Sequence, residues 1–350
     1  GGAEVHLTGC NPLSTQDDVA AAVADSGVAT YGIHGVDMQE YETLLVETLK
    51  CRPHLIVDDG GDLINLLGGK CAQYGDRLIG GCEETTTGIH RLHAREREGI
   101  LPCPMMAVND AKAKHYYDNK YGTGQSTWDA IMHTTNLIVA GKTVVVAGYG
   151  WCGKGIAMRA KGMGANVVVT EVDPFKALDA TMENFRVMSM DEAAKIGDIF
   201  VTATGCKDVI VKRHFDVMKN NAVLCNSGHF DCEVDVAALR ELAVKTSPRR
   251  QGIEGFQLPD GRTLNVLAEG RLVNLAAGNG HPAEIMDMSF AVQALSLEWL
   301  AKHQQGLENK VYVVPDEIDD QIGRVKLAAM GLSIDALTEE QRAYLSGWEA

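Results

Sequence analysis

The sequence is poor in several features, and each shortage excludes a class of protein. No apolar run approaches the roughly 20 residues that span a membrane, and nothing indicates secretion, so we expect a cytoplasmic protein without a membrane partner. Basic residues are outnumbered, with 32 Lys and Arg against 47 Asp and Glu, for a net charge of −15. Because nucleic-acid binding depends on neutralising phosphates with Lys and Arg, this balance argues against a nucleic-acid partner.

Cysteines are present but do not form a recognisable pattern. The nine cysteines are scattered singly, with no CxxC motif. Such a set suits a reducing cytosol and buried thiols better than disulfides or a zinc site. His90 and His93 have i,i+3 spacing, but no third ligand lies nearby. We therefore expect no bound metal.

At 350 residues the chain is long for a single hydrophobic core, so two domains are expected. Short apolar runs alternate with helical patterns, which is typical of α/β units on parallel sheets. The predicted strands are Val5–Thr8, Val28–Ile33, His54–Asp58, Val144–Ala147, Val167–Thr170, Ile199–Thr204 and Ala222–Cys225. The predicted helices are Thr15–Ser26, Met38–Lys50, 125–140, Pro174–Asn184, Met190–Ile196, Val234–Ala243 and Glu284–His303. A hairpin is predicted within 246–274, then a polar linker, and a short tail helix from Thr338. The predicted fold class is α/β, with two doubly wound, Rossmann-like domains and a short C-terminal helical tail.

The segment 144–173 carries the most informative motif. A β-branched run leads into Gly148-Tyr149-Gly150-Trp151-Cys152-Gly153, then a helical pattern, a second apolar run and Glu171. This is the order of a dinucleotide site, in which glycines permit the tight turn and the close approach of a pyrophosphate to a helix N-terminus. Glu171 can accept both hydroxyls of the adenosine ribose and would repel a 2′-phosphate. We therefore predict NAD as the cofactor, rather than NADP.

The same loop superficially resembles a nucleotide triphosphate site. Gly148, Gly153 and Lys154 have the spacing of a P-loop, which needs Ser or Thr at the next position to hold magnesium. Because Gly155 stands there, the P-loop interpretation fails.

Several other segments concentrate polar and titratable side chains where loops should follow strands. They are Asp58–Asp62, Glu83–Gly88, Lys114 with Asp118-Asn119, Asn226–His229, and His281-Pro282. Ligands of doubly wound sheets bind at such carboxyl ends of strands. The i,i+4 spacing of Lys114 and Asp118 can place both on one helical face. Proton transfer near neutral pH would require that burial lowers the pKa of Lys114.

These segments, in this order, resemble the S-adenosylhomocysteine hydrolase family along nearly the whole chain. The matching stretches include CNPLSTQDDVAAAVA at 10–24, DDGGDL at 58–63, EETTTGIHRL at 83–92, VNDAKAKHYYDNKYGTGQS at 108–126, NSGHFDCEVDV at 226–236 and LAEGRLVNL through GHP at 267–282. GYGWCGKGIAMRAKG, and Thr123 where many members have Cys, look like the archaeal or thermophilic-bacterial branch. The resemblance implies an enzyme that hydrolyses S-adenosylhomocysteine to adenosine and homocysteine in the methyl cycle. It implies that NAD oxidises the 3′-hydroxyl, homocysteine leaves from C5′, water adds, and the ketone is reduced again.

The resemblance also implies roles for individual residues. Lys114 and Asp118 would handle the 3′-hydroxyl proton, and Asp59 the C4′ proton. His229 would hold the homocysteine end or a water, and His281 the base region. Substrate contacts are implied for Glu84, Thr85, His281 and Met286. Cofactor contacts are implied for Thr85, Thr86, Thr87, Asn119, Gly148, Gly150, Gly153, Glu171, Thr202, Thr204 and Asn274.

In this family the substrate-binding domain is discontinuous, which implies the division of the chain. We expect residues 1–122 and 282–310 to form the substrate-binding domain and 123–281 the NAD-binding domain, with hinges near 119–125 and 281. Residues 311–350 would be a tail that contacts other subunits of a homotetramer. The family's upstream His-x-Thr-x-Glu segment is missing, so we expect the sequence to be an N-terminally incomplete record.

Three alternatives stay open. Some archaeal-type relatives prefer S-inosylhomocysteine, and the residues that read the base lie mostly in the missing segment. The glycine motif alone would suit an ordinary dehydrogenase, which would leave the acids and the lysine unexplained. A non-catalytic NAD-binding regulator is also conceivable, although intact Lys114 and His229 speak against it.

Overall fold

The computed structural model describes residues 2–348, whose strands form three sheets. The strands are β1 (His6–Thr8), β2 (Ala29–Tyr31), β3 (Leu55–Asp58), β4 (Gly80–Glu83), β5 (Met105–Ala107), β6 (Thr143–Ala147), β7 (Asn166–Thr170), β8 (Arg186–Val187), β9 (Ile199–Thr202), β10 (Val223–Asn226), β11 (Lys245–Arg250), β12 (Ile253–Gln257), β13 (Thr263–Leu267) and β14 (Val311–Tyr312). The helices are α1 (Asp17–Asp25), α2 (Met38–Leu49), α3 (Asp62–Leu67), α4 (Thr86–Arg97), α5 (Lys112–Lys114), α6 (Thr123–Thr135), α7 (Trp151–Gly162), α8 (Pro174–Met182), α9 (Met190–Ala193), α10 (Lys212–Phe215), α11 (Val236–Leu242), α12 (Val273–Ala276), α13 (Ala283–His303), α14 (Asp316–Ala329) and α15 (Glu339–Ser346). A π-helix, His115–Gly122, joins α5 to α6.

The first region of the molecule is built on the parallel sheet β14-β5-β4-β3, with β1 and β2 paired in a separate parallel sheet. Its core has two layers, because successive side chains of a strand point to opposite faces. Met105 packs with Leu45 of α2 on one face. Met106 packs with Val292 of α13 and Ile318 of α14 on the other. We call this part the four-stranded region.

The second region contains the eight-stranded sheet β11-β12-β13-β10-β9-β6-β7-β8. From β13 to β8 all neighbours are parallel, and β11–β12–β13 form an antiparallel edge that includes the predicted hairpin. Val144 and Val146 of β6 belong to one hydrophobic cluster, and Val145 belongs to the other. Both faces are therefore buried, which confirms the predicted α/β class with a Rossmann-like domain.

Two of the differences from the sequence-based prediction concern α6 and the segment after α13. The helix predicted over 125–140 runs from Thr123 to Thr135, because Asn136 adopts a left-handed conformation (φ 54°) that ends it. Residues 311–329, predicted as the start of the tail, instead join the four-stranded region. There Val311 pairs with Met105, and the apolar face of α14 packs on that region's core.

The two regions face each other through the carboxyl ends of their parallel strands. β3 and β4 end at Asp58 and Glu83, and β10 ends at Asn226. The loops that follow these strands bring Asp59 within 3.7 Å of His229. Among residues 2–348, no helix combines the length and the apolar character needed to cross a membrane.

Candidate active site

Lys114 lies at the centre of the candidate site, where α5 passes into the π-helix. A π-helix has a wider turn than an α-helix, with i→i+5 hydrogen bonds, so side chains four and five residues apart both become neighbours. The Lys114 Nζ accordingly lies 3.5 Å from an Asp118 carboxylate oxygen and donates a 2.8 Å hydrogen bond to the Asn119 Oδ1. The predicted pairing of Lys114 with Asp118 is therefore present in the structure.

The four-stranded region completes the surroundings of this ammonium group. The Lys114 Nζ donates to the Asn109 Oδ1 at 3.2 Å and lies 3.5 Å from the Glu84 Oε1. The Asn119 amide donates to the same Asn109 oxygen at 3.0 Å. Lys114 is only 5% exposed, so this cationic centre is surrounded by two carboxylates and two amides and is largely shielded from water.

The protonation of Lys114 is set by its two carboxylate neighbours. Burial by itself lowers the pKa of Lys114, but the carboxylates of Glu84 and Asp118 outweigh burial and hold the pKa well above its ordinary value. Burial raises the pKa of Asp118, yet Lys114 and His281 outweigh it, and the pKa is lowered. The condition set for proton transfer by Lys114, a lowered pKa, is therefore not met, and the site contains an ammonium–carboxylate pair.

Asp118 is held from the opposite side by α13 and by the loop before it. The Ser289 hydroxyl donates to Asp118 at 2.7 Å, and the His281 Nδ1 lies 3.2 Å from the other carboxylate oxygen. The His281 Nε2 in turn lies 3.3 Å from the Thr123 hydroxyl. Two histidine contacts therefore connect Asp118 to the start of α6.

Glu84 provides a second carboxyl group with different properties. Burial raises its pKa to about 7, although the neighbouring Lys114 ammonium acts in the opposite direction. Its Oε2 accepts a hydrogen bond from Gln293 of α13. A carboxyl group that titrates near neutral pH, beside one that stays ionised, can accept or release a proton during a reaction.

Asp59 and His229 form one of the contacts between the two regions. The His229 ring lies so close to Gly60 that an added Cβ at that glycine would overlap it. Arg91 of α4 donates to the Gly60 carbonyl and to Asp62, and its guanidinium lies 5.2 Å from the centre of the Phe230 ring. The loop after β3 is therefore packed directly against the loop after β10.

The glycine turn fits a dinucleotide. Gly148 has φ 93°, and a Cβ at Gly153 would overlap the Gly148 carbonyl, so both positions need glycine. A Cβ at Gly150, which precedes α7, would meet no atom within 4 Å, so this helix N-terminus faces open space. Glu171, at the end of β7, accepts a 2.7 Å hydrogen bond from the Tyr149 amide. The predicted ribose acid therefore lies beside the predicted phosphate turn.

The other residues expected at the cofactor lie near this turn or across from it. The Thr202 hydroxyl donates to Asn226 and the Thr204 hydroxyl donates to Glu233. Both hydroxyl protons are therefore used in hydrogen bonds within the protein. The Asn274 amide donates to Ser126, and its buried Oδ1 has no hydrogen-bond partner among the described residues. An orphaned buried acceptor beside His281 is compatible with a ligand that carries a donor.

The threonines that follow β4 lie at the start of α4. This end of α4 faces the eight-stranded region. The Thr85 amide donates to Glu83, and the Thr86 hydroxyl accepts from Asn109. A Cβ added at Gly205 would lie 3.6 Å from the Thr87 hydroxyl, which places α4 against the loop after β9. Met286 lies partly buried near the start of α13.

Two cavities lie beside this cluster rather than at its centre. The larger, about 590 Å³, is lined by Gln16 and His34 of the four-stranded region and by Asn279 of the eight-stranded region. The second, about 440 Å³, is lined by His281 and Arg159. Neither is lined by Lys114, because that side chain is enclosed by its protein partners.

Sequence reasoning did not single out three residues that complete the site: Asn109, Ser289 and Gln293. Asn109 lies in a matched motif but carries no charge and has no distinctive spacing. Ser289 and Gln293 did carry a detectable signal, since they are polar residues at i,i+4 on a long, mainly apolar helix. Glu83 belongs to a segment that the sequence analysis named, but it received no role there, and only the structure shows that it is fully buried.

Comparison with known proteins identifies the family. Residues 119–280 match the family model described as "S-adenosyl-L-homocysteine hydrolase, NAD binding domain", and residues 1–74 match "S-adenosyl-L-homocysteine hydrolase". An adenosylhomocysteinase from Archaeoglobus fulgidus is 55% identical over 347 residues, covering 99% of this chain and 85% of that relative. The chain belongs to the S-adenosyl-L-homocysteine hydrolase family. This confirms the resemblance, and the match of residues 119–280 confirms NAD as the cofactor.

Within the S-adenosyl-L-homocysteine hydrolase family, this chain is similar to proteins with two different names. An S-inosyl-L-homocysteine hydrolase from Methanocaldococcus jannaschii is 56% identical over 348 residues, covering 99% of this chain and 84% of that relative. Both relatives come from archaea, which agrees with the archaeal or thermophilic-bacterial branch that the motif around Gly148 and Thr123 indicated. Among solved structures, a dipicolinate synthase chain from Bacillus halodurans has a TM-score of 0.51 at 11% identity, covering 85% of this chain and 90% of that one. That likeness supports the α/β fold alone.

Proposed function

We propose that this protein hydrolyses S-adenosyl-L-homocysteine to adenosine and L-homocysteine. The observation that carries the proposal is the Lys114 ammonium group, buried between the carboxylates of Glu84 and Asp118 close to the cofactor turn. A net dehydrogenase has no evident need for this cluster together with the second acid and histidine at Asp59 and His229. The family membership, at about 55% identity to adenosylhomocysteinases, supports the same reaction.

Lys114, Asp118 and Glu84 are suited to the 3′-hydroxyl group of the nucleoside. NAD, when bound, supplies reversible hydride transfer at the 3′-carbon. Lys114 would hold the hydroxyl oxygen with its N–H groups, and Asp118 would keep the lysine charged and oriented. Glu84, whose pKa is raised to about 7 by burial, would exchange a proton with the ribose hydroxyls.

Asp59 and His229 are suited to the steps at C4′ and C5′. They come from different regions and lie 3.7 Å apart, so they meet only where the regions close. Asp59 would remove and return the C4′ proton, and His229 would orient the leaving sulfur or the incoming water. Closure around the substrate would exclude bulk water during the intermediate steps.

The cofactor roles are proposed by position. Gly148, Gly150 and Gly153 would receive the pyrophosphate at the start of α7, and Glu171 would bind the ribose. Asn119 and the Thr85–Thr87 segment would approach the nicotinamide from the four-stranded region, while Thr202, Thr204 and Asn274 would line the opposite side. His281 and Met286 would contact the base.

Thiol release tests the proposal. The purified chain is given S-adenosylhomocysteine or S-inosylhomocysteine in parallel, and homocysteine is detected with a thiol reagent while NADH absorbance is followed. We expect stoichiometric thiol release without net NADH. Net NADH formation would support an ordinary dehydrogenase instead. No release from either substrate, with NAD bound, would contradict the hydrolase proposal for this chain.

S-inosyl-L-homocysteine is the second candidate substrate, because relatives of that name are as similar to this chain as the adenosylhomocysteinases are. The parallel assay distinguishes them by the ratio of the two kcat/KM values. Preference for the inosyl compound by more than tenfold would replace adenosine with inosine as the proposed product.

We also propose the domain division, the assembly and the compartment. Residues 1–122 and 282–310, extended by 311–329, would bind substrate, and 123–281 would bind NAD. Exposed apolar side chains along α8 and in the 330–348 segment, among them Phe175 and Trp348, fit contacts within a homotetramer. All nine cysteines are free thiols, which suits a cytoplasmic protein.

A further inference from the structure

Glu83 lies at the end of β4, immediately before Glu84, and is completely buried. Its Oε1 accepts two backbone hydrogen bonds of 2.9 Å, from the amides of Gly60 and Thr85. Gly60 follows Asp59, and Thr85 follows Glu84. One carboxyl oxygen therefore connects the turn that carries Asp59 to the turn that carries Glu84.

The space around Glu83 is built for a carboxyl group in this position. A Cβ added at Gly88 of α4 would overlap the carboxyl group itself. The neighbouring Asp58 is the register partner of Glu83 in the β3–β4 pair and is also buried. Asp58 accepts hydrogen bonds from the amides of Asp59, at 3.1 Å, and Ile64, at 2.9 Å. Two buried acids at adjacent strand ends thus fix a single turn from both sides.

The two oxygens of Glu83 are unequally used. Its Oε2 is buried and has no hydrogen-bond partner among residues 2–348. Glu233 in the eight-stranded region is a useful comparison, since it is also buried and also binds a turn after a strand. Both oxygens of Glu233 accept, from the Thr204 amide and hydroxyl and from the Gly205 amide. A buried oxygen without a partner costs more free energy on an ionised carboxylate than on a neutral carboxylic acid.

We propose that Glu83 is a positioning residue of the hydrolase site, which aligns Asp59 with Glu84 and does so as a neutral carboxylic acid beside Asp58. This inference rests on the proposed function for the reaction that the aligned residues perform. Its geometric part, the pairing of the two turns through Glu83, stands on the hydrogen bonds alone.

The electrostatic surroundings agree with a neutral Glu83. Burial raises its pKa well above the ordinary value, and the nearby Asp58 raises it further. Burial also raises the pKa of Asp58, to about 6. Two acids this close inside a protein do not readily ionise together, so the pair holds one proton at neutral pH. Arg91 of α4, a cation that contacts this loop, is already engaged by Asp62 and the Gly60 carbonyl.

Glu83→Gln and Glu83→Ala test the proposal. Glutamine keeps the accepting oxygen and replaces the hydroxyl of the acid with an amide of similar size. We expect E83Q to retain kcat within a factor of a few. E83A loses both hydrogen bonds to the turns, and we expect kcat to fall about 100-fold with a small change in KM, because the reacting groups are misaligned. Glu241→Gln, at an exposed position of α11, is the matched control and should behave as wild type.

Two measurements are independent of turnover. The wild-type minus E83Q infrared difference spectrum at neutral pH should contain the carbonyl stretch of one protonated acid, because the contribution of Glu84 is common to both proteins and cancels. Hydrogen exchange at the Gly60 and Thr85 amides should be slow in wild type and E83Q, and fast in E83A. If E83A does not fold, E83Q and the infrared band still decide the protonation state.

The outcomes separate this inference from the proposed function. A folded E83Q with the same loss as E83A, or the absence of the acid band, would overturn the neutral Glu83. Unchanged kcat and amide exchange in a folded E83A would overturn the positioning role. A wild-type chain that shows the band and the slow amides but releases no thiol would contradict the hydrolase activity and leave the geometric part intact.

Discussion

The protonation of individual side chains in this molecule depends on the groups that are buried beside them. Lys114 and Glu84 are both buried, yet the lysine stays charged because two carboxylates face it, whereas the glutamate pKa is raised to about 7. The same two residues on a solvated helix would keep their ordinary pKa values. The chemistry therefore depends on which partners are enclosed together, and substitution of one partner should change the behaviour of the others.

Lys114→Gln is the most direct test at this scale. The variant loses the ammonium group that faces Glu84 and Asp118, and we expect kcat for thiol release to fall by about 10²–10⁴-fold. The Lys195→Gln variant, at an exposed position without an ion pair among the described residues, is the control. Near-normal kcat in a folded K114Q would remove Lys114 from the reaction.

Glu84 should also give the protein a measurable pH dependence of stability. Its pKa is raised from 4.5 to about 7, so between these values the folded chain keeps a proton that the unfolded chain has lost. The free energy of unfolding therefore falls as the pH rises through this window, by up to about 3 kcal/mol. Urea unfolding at several pH values should show a shallower fall in Glu84→Gln. A fall of the same sign should remain, because the pKa of Asp58 is also raised, to about 6. An unchanged pH profile in E84Q would contradict the raised pKa.

Among the elements, the π-helix His115–Gly122 does the most to shape the site. It is packed against α7, whose N-terminus faces the proposed cofactor position. A Cβ added at Gly155 of α7 would overlap the Lys120 carbonyl oxygen, and one at Gly124 would lie 2.7 Å from the Gly155 backbone. The helix that carries Asp118 and Asn119 is thus in backbone contact with the helix expected to bind the pyrophosphate.

Gly155→Ala should disturb this contact. The added methyl group cannot be accommodated without moving the π-helix, so we expect a loss of about 1–3 kcal/mol in stability and a lower kcat. On the same helix, a Cβ at Gly162 meets nothing within 4 Å, and Gly162→Ala should be neutral or stabilise by up to ~1 kcal/mol. Thermal unfolding of the two variants compares them directly. Equal stability would show that α7 and the π-helix separate easily.

The elements also show what the sequence could and could not predict. Helix α13 was predicted almost to the residue, because its apolar periodicity continues over many turns. The π-helix was not predicted, since its wider turn leaves no distinct pattern in eight residues, and the Lys114–Asp118 spacing suits an α-helix equally well. α14 was not predicted as a helix and fell within the predicted tail, although the i,i+4 spacing of Ile318 and Ile322 suits an amphipathic helix. Hydrogen-bond partners of Lys114 such as Asn109 could not be predicted, because tertiary packing brings them together and no local sequence pattern encodes that packing.

The whole molecule leaves an apolar surface on the eight-stranded region. Val172, Phe175 and Met182 are 99%, 80% and 78% exposed, on or just before α8. Isolated exposed apolar residues are common, but several along one short helix are typical of a surface that another protein covers. A second copy of this chain is the occupant that we propose.

Phe175→Asp tests that assembly. A charge placed on this surface should shift the protein toward smaller species in analytical ultracentrifugation while the far-UV circular dichroism stays unchanged. Gln304→Asp adds the same charge at an exposed position after α13 and should leave the assembly intact. If both variants sediment as wild type does, the α8 surface lies outside the contacts between protomers.

The position of β14 in the sheet has a consequence for protein synthesis. β5 forms its outer pairing with Val311 and Tyr312, more than 200 residues further along the chain. The eight-stranded region between them contains its own complete sheet, so a ribosome delivers all of that sheet before the partner of β5 exists. Since domains fold as units while the chain emerges from the ribosome, we expect the eight-stranded region to fold first. The four-stranded region would stay incompletely folded, with Met105 and Met106 incompletely covered, until β14 is synthesised. Nascent chains stalled before residue 311 should therefore bind NAD but expose these methionines to oxidation.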